Sequence, residues 1–177
     1  ARCAGVATFR QRGSVNALRV APLQPAHRSR IEDIVRATGV FSEDETRVAV
    51  ELFDADDDYE FLGAFLGDTL MGYTCFGATP ATDRTFDVYW IAVHPDPQRS
   101  GAGAALMSAV EAELQHRRAR MVVIETSSRD DYAPTRRFYQ KHGYTEAARL
   151  RDFYAPGDDR VVFTKRVAVP AVLPHPA

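Results

Sequence analysis

Apolar side chains recur at helical spacing near the start of the chain. Ile31, Ile34 and Val35 fall on one face of a helix, and Pro25 stands where a proline suits the first turn. Gly39 follows as an end signal, because glycine commonly closes a helix in the left-handed conformation. The pattern therefore predicts a first helix that ends at Gly39.

A second helix is predicted to begin at Ser42. Ser42 and Glu45 have the spacing of a capping box, and apolar residues follow at helical intervals. A short strand from Ala17 to Leu23 is predicted before the two helices. After them, the segments YEFLGAFL and TLMGYTCFG flank Gly67-Asp68, a two-residue turn signal that predicts a β-hairpin.

The rest of the chain alternates between strand and helix patterns. The predicted elements are a strand TFDVYWIAV, a helix from Gly101 to the basic run at 116–118, a strand MVVIET, a helix from Asp130 to His142, and strands at Tyr144–Arg151 and Arg160–Arg166. The whole order reads β-α-α-β-β-β-α-β-α-β-β. No repeat or linker divides it, so we expect one domain at 17–167, an N-terminal extension at 1–16 and a Pro-rich tail at 168–177.

Composition narrows the class of protein. With 45% hydrophobic residues among 177, the chain can form a sizeable core. The net charge is −2 and the two signs are interspersed, which argues against a nucleic-acid partner. No window approaches the ~18 apolar residues of a membrane span, and the first residues lack the apolar core of a signal peptide, so we expect no membrane partner and a cytoplasmic location. Cysteines and histidines lack ligand spacing, so we expect no metal.

Two glycines mark the start of the third predicted helix. Gly101 and Gly103 lie where unpaired N–H groups and the helix dipole favour an anion such as a phosphate. The sequence GxxxxGK[ST] is absent, and Leu106 stands where the dinucleotide fingerprint needs Gly or Ala. The alternative is that these glycines only ease a turn and let helix and sheet pack closely.

Two motifs resemble those of the GNAT superfamily of N-acetyltransferases. The first is Val93-x-Pro95-x-x-Gln98-Arg99-x-Gly101-x-Gly103, and the second is Arg137-Phe138-Tyr139-Gln140-Lys141-x-Gly143-Tyr144. The resemblance covers about 17–167. It implies an α/β (α+β) fold with four helices and a mixed, mostly antiparallel sheet of about seven strands. It also implies acetyl-CoA as cosubstrate, bound by Ile91, Ala92, Val93, Gln98, Arg99, Ser100, Gly101, Ala102, Gly103, Ala104, Tyr132 and Tyr139. One departure is that Tyr132 stands where the family often has Asn.

The resemblance also suggests catalytic residues. A free alkylamine is mostly protonated at neutral pH, so its attack on a thioester requires a base. Glu125 and Asp87 fall where different branches of the family carry a catalytic carboxylate, and we expect Glu125 to be the base. Tyr139 is expected to donate a proton to the departing thiolate. The alternative for each carboxylate is a sheet-end residue paired with the backbone or an arginine.

The acceptor is expected between the early helices and the last turn. Phe41, Tyr89, Asp152 and Tyr154 are the candidate acceptor residues, and DFYAPGDD resembles the corresponding loop of protein N-terminal acetyltransferases. The predicted function is direct transfer of acetyl to a primary amine, either a small molecule or a protein N-terminus. A non-catalytic acyl-CoA sensor and a peptide-binding adaptor are the alternatives, and a homodimer is also considered.

Overall fold

The computed structural model describes residues 18–55, 58–95 and 101–167. Within these residues lie seven strands, β1 (Leu18–Pro22), β2 (Glu60–Leu66), β3 (Thr69–Ala78), β4 (Thr85–Val93), β5 (Met121–Ser127), β6 (Thr145–Ala155) and β7 (Asp158–Arg166). Four α-helices accompany them, α1 (Arg28–Thr38), α2 (Glu43–Asp54), α3 (Ala102–His116) and α4 (Ala133–Lys141). The predicted extension at 1–16 and tail at 168–177 lie outside the described residues.

The strands form one mixed sheet in the order β1-β2-β3-β4-β5-β7-β6. Every neighbouring pair is antiparallel except β4 and β5, which are parallel and connected through α3. A parallel pair requires such a crossover, whereas the antiparallel neighbours can be joined by short turns. The predicted fold class and order of elements are confirmed.

The early helices begin and end where local residue chemistry dictates. A short 3-10 turn over Pro25–His27 precedes α1, so the α-helix begins three residues later than the proline suggested. Gly39 closes α1 with a φ of 71°. The Ser42 hydroxyl accepts from the Glu45 amide at 3.2 Å, and the Glu45 carboxylate accepts from the Ser42 amide at 2.7 Å. The predicted capping box therefore forms at the start of α2.

The last hairpin differs from its prediction. Strand β6 continues to Ala155 and β7 begins at Asp158, so the connection is shorter than APGDD. The register shifts between Leu150 and Ala155, and Asp152 lies within this irregularity with a φ of 52°. Alternating hydrophobicity does not reveal such a shift, because the bulge changes which face each later residue occupies.

Two apolar layers enclose the sheet. Helices α3 and α4 cover one face, where Met107, Val110 and Leu114 pack with residues of β4, β5 and β7. Helices α1 and α2 cover the other face through a separate cluster that includes Tyr73 and Ala92. Buried aliphatic surface on both faces thus fixes the position of the two central strands.

Leu114→Ala should lower the free energy of unfolding by about 2–5 kcal/mol, because Leu114 is fully buried and its removal leaves a cavity. The matched helix control is Val48→Ala, whose side chain is 51% exposed and whose change should stay within about 0.5 kcal/mol. Urea unfolding of both variants measures the difference. Equal losses would contradict the assignment of α3 to the core.

Candidate active site

The sheet opens between its two central strands. Pairing of β4 with β5 extends only from Thr85–Met121 to Val88–Ile124. Beyond that point β4 pairs with β3 alone, and β5 continues with β7 as far as Ser127. A cleft therefore begins immediately after Val88 and Ile124.

A β-bulge in β4 lies at the mouth of this cleft. Trp90 pairs with Cys75 and Val88 pairs with Phe76, so Tyr89 is an extra residue on β4. The bulge reverses the alternation of the strand. Val88 belongs to the core beneath α3 and α4, whereas Trp90 packs beneath α1 and α2. The β4 residues beyond the bulge consequently present different groups to each face than simple alternation would.

The backbone of β4 presents hydrogen-bonding groups to the cleft. The Trp90 carbonyl accepts from the Thr74 hydroxyl at 2.9 Å, and the His94 amide donates to the Met71 carbonyl at 2.8 Å, so both groups face β3. Peptide groups alternate in direction along a strand. Ile91 and Val93 therefore direct theirs toward the cleft, and the Ala92 groups point toward β3.

The cleft leads toward the N-terminus of α3, where a Cβ on Gly103 would lie 3.6 Å from the side chain of Val93 in β4. Gly101 precedes this helix with a φ of 69°, in the left-handed region that favours glycine. The amides of Gly103 and Ala104 belong to the first turn, where no intrahelical acceptor exists. A Cβ at Gly101 would meet nothing within 4 Å, whereas one at Gly103 would lie 3.4 Å from the Phe138 ring. Gly101 thus serves the backbone turn, and Gly103 allows α3 to approach α4.

Three predicted cofactor residues, Gln98, Arg99 and Ser100, lie outside the described residues. Of the others, Ala102 is buried in a cluster with Leu106 and Met71 beneath β2 and β3. The roles of all these residues in cofactor binding stay predictions.

Glu125 stands at the start of the cleft. It is the first β5 residue beyond the β4 pairing, and its neighbour Ile124 points into the core beneath α3 and α4. Glu125 therefore lies on the opposite face, the side of α1 and α2. Its carboxylate forms an ion pair with Arg160 of β7. This is the alternative arrangement considered for a sheet-end carboxylate, and the role of Glu125 as base stays a prediction.

Asp87 is a second carboxylate on β4 near the same opening. It pairs in register with Val123, two residues before Glu125. Its Oδ2 accepts a hydrogen bond from Thr79 Oγ1 at 2.5 Å and a longer one from Tyr89 at 3.4 Å. Burial, with smaller contributions led by the Asp87 charge, raises the pKa of Tyr89 to about 12. Asp87 is thus held by two hydroxyl donors and remains the alternative base.

Tyr139 projects from α4 into the core that α3 and α4 form with the sheet. Its side chain is 4% exposed and contacts the rings of Tyr144 and Phe163, with centroids 6.2 and 5.9 Å away. Burial, with a smaller effect from Tyr132, raises the pKa of Tyr139 well above its ordinary value. The phenol consequently stays protonated at neutral pH and can act as a donor.

An aromatic wall joins the α1–α2 connection to the start of α4. Phe41 stacks on Trp90 at 4.9 Å between centroids and meets the edge of Tyr132 at 6.3 Å. Arg129 strengthens this junction, because its guanidinium donates to the Val40 carbonyl at 3.1 Å and lies 5.0 Å from the Tyr132 centroid. The structure thus brings together the predicted residues Phe41 and Tyr132.

The last hairpin approaches the same region. Tyr154 is 49% exposed and packs edge-on against Phe153, and burial, followed by the charges of Asp158 and Glu45, raises its pKa. Asp152 is used locally, since its carboxylate accepts from the Gly157 amide at 2.6 Å and its own amide donates to Asp159 at 3.0 Å. Recognition of an acceptor by Tyr154 or Asp152 stays a prediction.

A buried carboxylate fixes this hairpin to β5. Asp158 Oδ1 accepts from the Ser127 hydroxyl at 2.5 Å and from the Ser128 amide at 3.1 Å, and the residue is 8% exposed. The Asp159 amide donates in turn to the Ser128 hydroxyl at 2.7 Å. The sequence analysis missed Asp158, Arg160, Trp90 and Arg129. Only a register for β5 and β7 would have revealed the first two.

The described residues, 18–55, 58–95 and 101–167, show neither a membrane-spanning helix nor a metal-ligand cluster. None of their helices combines the length and apolar character required to cross a bilayer. Within the same ranges, no group of three or more metal-ligating side chains converges.

The chain is similar to known acetyltransferases in sequence and in fold. The family model for acetyltransferases of the GNAT family matches residues 28–144. A Desulfovibrio desulfuricans protein assigned to the GNAT family of acetyltransferases has 39% identity and a TM-score of 0.81, over 86% of this chain and 100% of that one. No curated protein matches the sequence significantly.

More distant structures share the fold. The ribosomal-protein-S18-alanine N-acetyltransferase of Escherichia coli has 18% identity and a TM-score of 0.72, over 86% of this chain and 96% of that one. The yncA protein of Salmonella typhimurium, a candidate acetyltransferase whose structure contains its cofactor acetyl-CoA, has 19% identity and a TM-score of 0.69, over 92% and 100% of the two chains.

Asp158→Ala should lower the free energy of unfolding by about 1–3 kcal/mol, because it leaves the Ser127 hydroxyl without its acceptor and removes one of the two acceptors of the Ser128 amide. Asp131→Ala is the control, since its exposed pair with Arg129 should contribute less than about 1 kcal/mol. Urea unfolding compares the two. If Asp158→Ala costs no more than the control, the buried carboxylate does not fix the hairpin.

Proposed function

The chain belongs to the GNAT acetyltransferase family, and from this premise we propose that it moves acetyl from acetyl-CoA to a primary amine. The observation that carries the proposal is the opening of the sheet between β4 and β5. It exposes peptide groups of β4, places Glu125 and Asp87 near its start, and leads toward the N-terminus of α3. One bound molecule could therefore contact a phosphate-binding end and a reaction centre.

The residues fit the chemical groups of acetyl-CoA. First-turn amides and the positive helix end suit the pyrophosphate, and no carboxylate stands in the first turn of α3. The cleft-facing peptide groups of Ile91 and Val93 suit the pantetheine amides and the thioester oxygen. The cosubstrate supplies the activated acetyl group.

The proposed transfer is direct. Glu125 accepts a proton from the ammonium form of the acceptor, by contact or through water, so that the nitrogen lone pair can attack the acetyl carbon. The Val93 or Ile91 amide stabilises charge on the carbonyl oxygen. As the carbon–sulfur bond breaks, Tyr139 donates its proton to the sulfur, and the nitrogen passes its remaining extra proton, through water, to the Tyr139 oxygen. Buried Cys75 is not used, since burial raises the pKa of its thiol to about 12.

One observation favours a second function. Glu125 is paired with Arg160, so one of its oxygens is already occupied by a hydrogen bond from the guanidinium. A non-catalytic acyl-CoA-binding module would tolerate this pairing without loss. Release of CoA in the presence of amines separates the two functions, because only the enzyme shows acceptor-dependent release.

The first prediction concerns the phosphate end. Gly101→Asn and Gly101→Asp have nearly the same shape, both residues tolerate the left-handed conformation better than other side chains, and the position is sterically open. Only Asp adds negative charge beside the helix N-terminus. Calorimetry should therefore show CoA binding on the order of 10-fold weaker for Asp than for Asn at low salt. Equal affinities would remove Gly101 from the phosphate site.

The second prediction concerns the division of proton transfers. Glu125→Gln keeps the side-chain shape but accepts no proton, so kcat should fall on the order of 10²-fold at neutral pH. Higher pH should partly restore it, because more acceptor is then neutral. Asp87→Asn is the matched control on the neighbouring strand. If it alone abolishes turnover, Asp87 is the base.

Tyr139, the proposed proton donor, can be tested by removing its hydroxyl. Tyr139→Phe should lower kcat by a comparable factor without recovery at high pH, because departure of the sulfur still lacks a donor. Since burial raises the Tyr139 pKa, the wild-type phenol loses its proton only above its usual range, so wild-type kcat should show no decline caused by Tyr139 up to about pH 10. Steady-state rates from pH 6 to 10 measure both effects.

A further inference from the structure

Arg160 belongs to β7 in the last hairpin. It lies beside Glu125, the proposed base, on the face of the sheet where the acceptor is expected. Ser127 pairs with Arg160 and Glu125 pairs with Val162, so Glu125 and Arg160 are diagonal neighbours across β5 and β7. The Arg160 guanidinium also lies over the Phe153 ring, 4.9 Å from its centroid. Its position is thus fixed from two sides.

The guanidinium is used only in part. Arginine presents Nε and Nη2 as a parallel pair of donors that matches the two oxygens of one carboxylate. Glu125 Oε1 accepts from Nη2, while the buried Nε has no hydrogen-bond partner among the described residues. A buried donor without an acceptor is unfavourable. Half of this carboxylate-binding edge is therefore unpaired.

Two other arginines of the described chain, Arg117 and Arg149, differ in this respect. Arg117 binds both oxygens of Glu60 and a further carboxylate, Glu113. Arg149 binds Glu146 through two nitrogens and Asp159 through a third. These forks are filled by the protein itself, whereas the fork of Arg160 is not.

We propose that Arg160 is the specificity-determining residue of the acceptor site and recognises a carboxylate on the acceptor amine. The acceptor carboxylate binds Nε and Nη2 side by side and replaces Glu125 on Nη2. Glu125 is then released beside the amine, where the freed oxygen can accept a proton. This inference rests on the proposed function and narrows it to amino acids or similar small amines that carry a free carboxylate.

The exchange also accounts for the pairing of a base with an arginine. Without such an acceptor, Arg160 occupies the Glu125 oxygen, so Glu125 does not activate water toward the acetyl group. With the acceptor bound, one ion pair replaces another and no charge is left buried alone. A protein N-terminus offers an amide in place of its α-carboxylate and does not make this exchange.

The test compares free amino acids with their carboxamides as acceptors. The panel is the standard amino acids, each in both forms, at saturating acetyl-CoA, with CoA release as the readout. For the wild type, kcat/KM should favour the carboxylate form of at least one amino acid by roughly 10- to 100-fold. In Arg160→Met the ratio of kcat/KM for the carboxylate form to kcat/KM for the carboxamide form should fall to within a few-fold of one. In Arg160→Lys this ratio should be intermediate, because Lys lacks the fork.

Arg149→Met is the matched control. Arg149 is an exposed arginine of β6 that pairs in register with Val161, on the opposite face from Arg160. Its ratio should equal that of the wild type. Circular dichroism and CoA affinity, measured for each variant, identify any variant that fails to fold.

Two results would overturn the inference. The first is that no carboxylate form of the panel reacts faster than its carboxamide in the wild type, whether or not the carboxamides react. The second is that Arg160→Met retains the preference. The proposed function fails separately, if the folded wild type binds no CoA or releases none with any primary amine, including peptides and amines that carry no carboxylate.

Discussion

The organisation of this protein depends on one interrupted hydrogen-bond ladder. After Val88 and Ile124 the two central strands stop pairing, although each continues with its other neighbour. Peptide groups that face such a gap require hydrogen-bond partners, so the fold itself creates a demand for a ligand with amide and carbonyl groups. The cosubstrate proposed here has this chemistry along its pantetheine arm. The bulge at Tyr89 lies where that gap begins, and the first turn of α3, which follows Gly101, lies near Val93 at the end of β4.

Much of the fold followed from short-range signals. The capping box at Ser42, the glycine that closes α1 and the turn at Gly67-Asp68 each act over a few residues, so a single sequence reveals them. The extent of the last hairpin did not, because the irregularity near Asp152 depends on hydrogen bonds to Gly157 and Asp159 across the turn. Contacts of that kind are visible only after the two strands have a register.

The candidate site was predictable to the same depth. Glu125, Tyr139 and the glycines could be named because motif spacing points to them. Arg160 could not, since an arginine in a strand is usually a solvated residue and only the diagonal register with Glu125 gives it a role. The same register pairs the Glu125 carboxylate with Arg160. Sequence spacing therefore named the proposed reacting groups but not the ion pair that one of them forms.

The short parallel ladder also has a consequence for folding. Strands β2, β3 and β4 are sequential antiparallel neighbours, and β6 and β7 form a local hairpin, whereas β4 reaches β5 only through α3. Pairings close in sequence incur a smaller loop-closure entropy and form earlier. We therefore expect the antiparallel run β2-β3-β4 and the β6-β7 hairpin to form first, and the pairs that are distant in sequence, β1-β2, β4-β5 and β5-β7, to form later. The proposed cleft would then assemble only after these local pairings are in place.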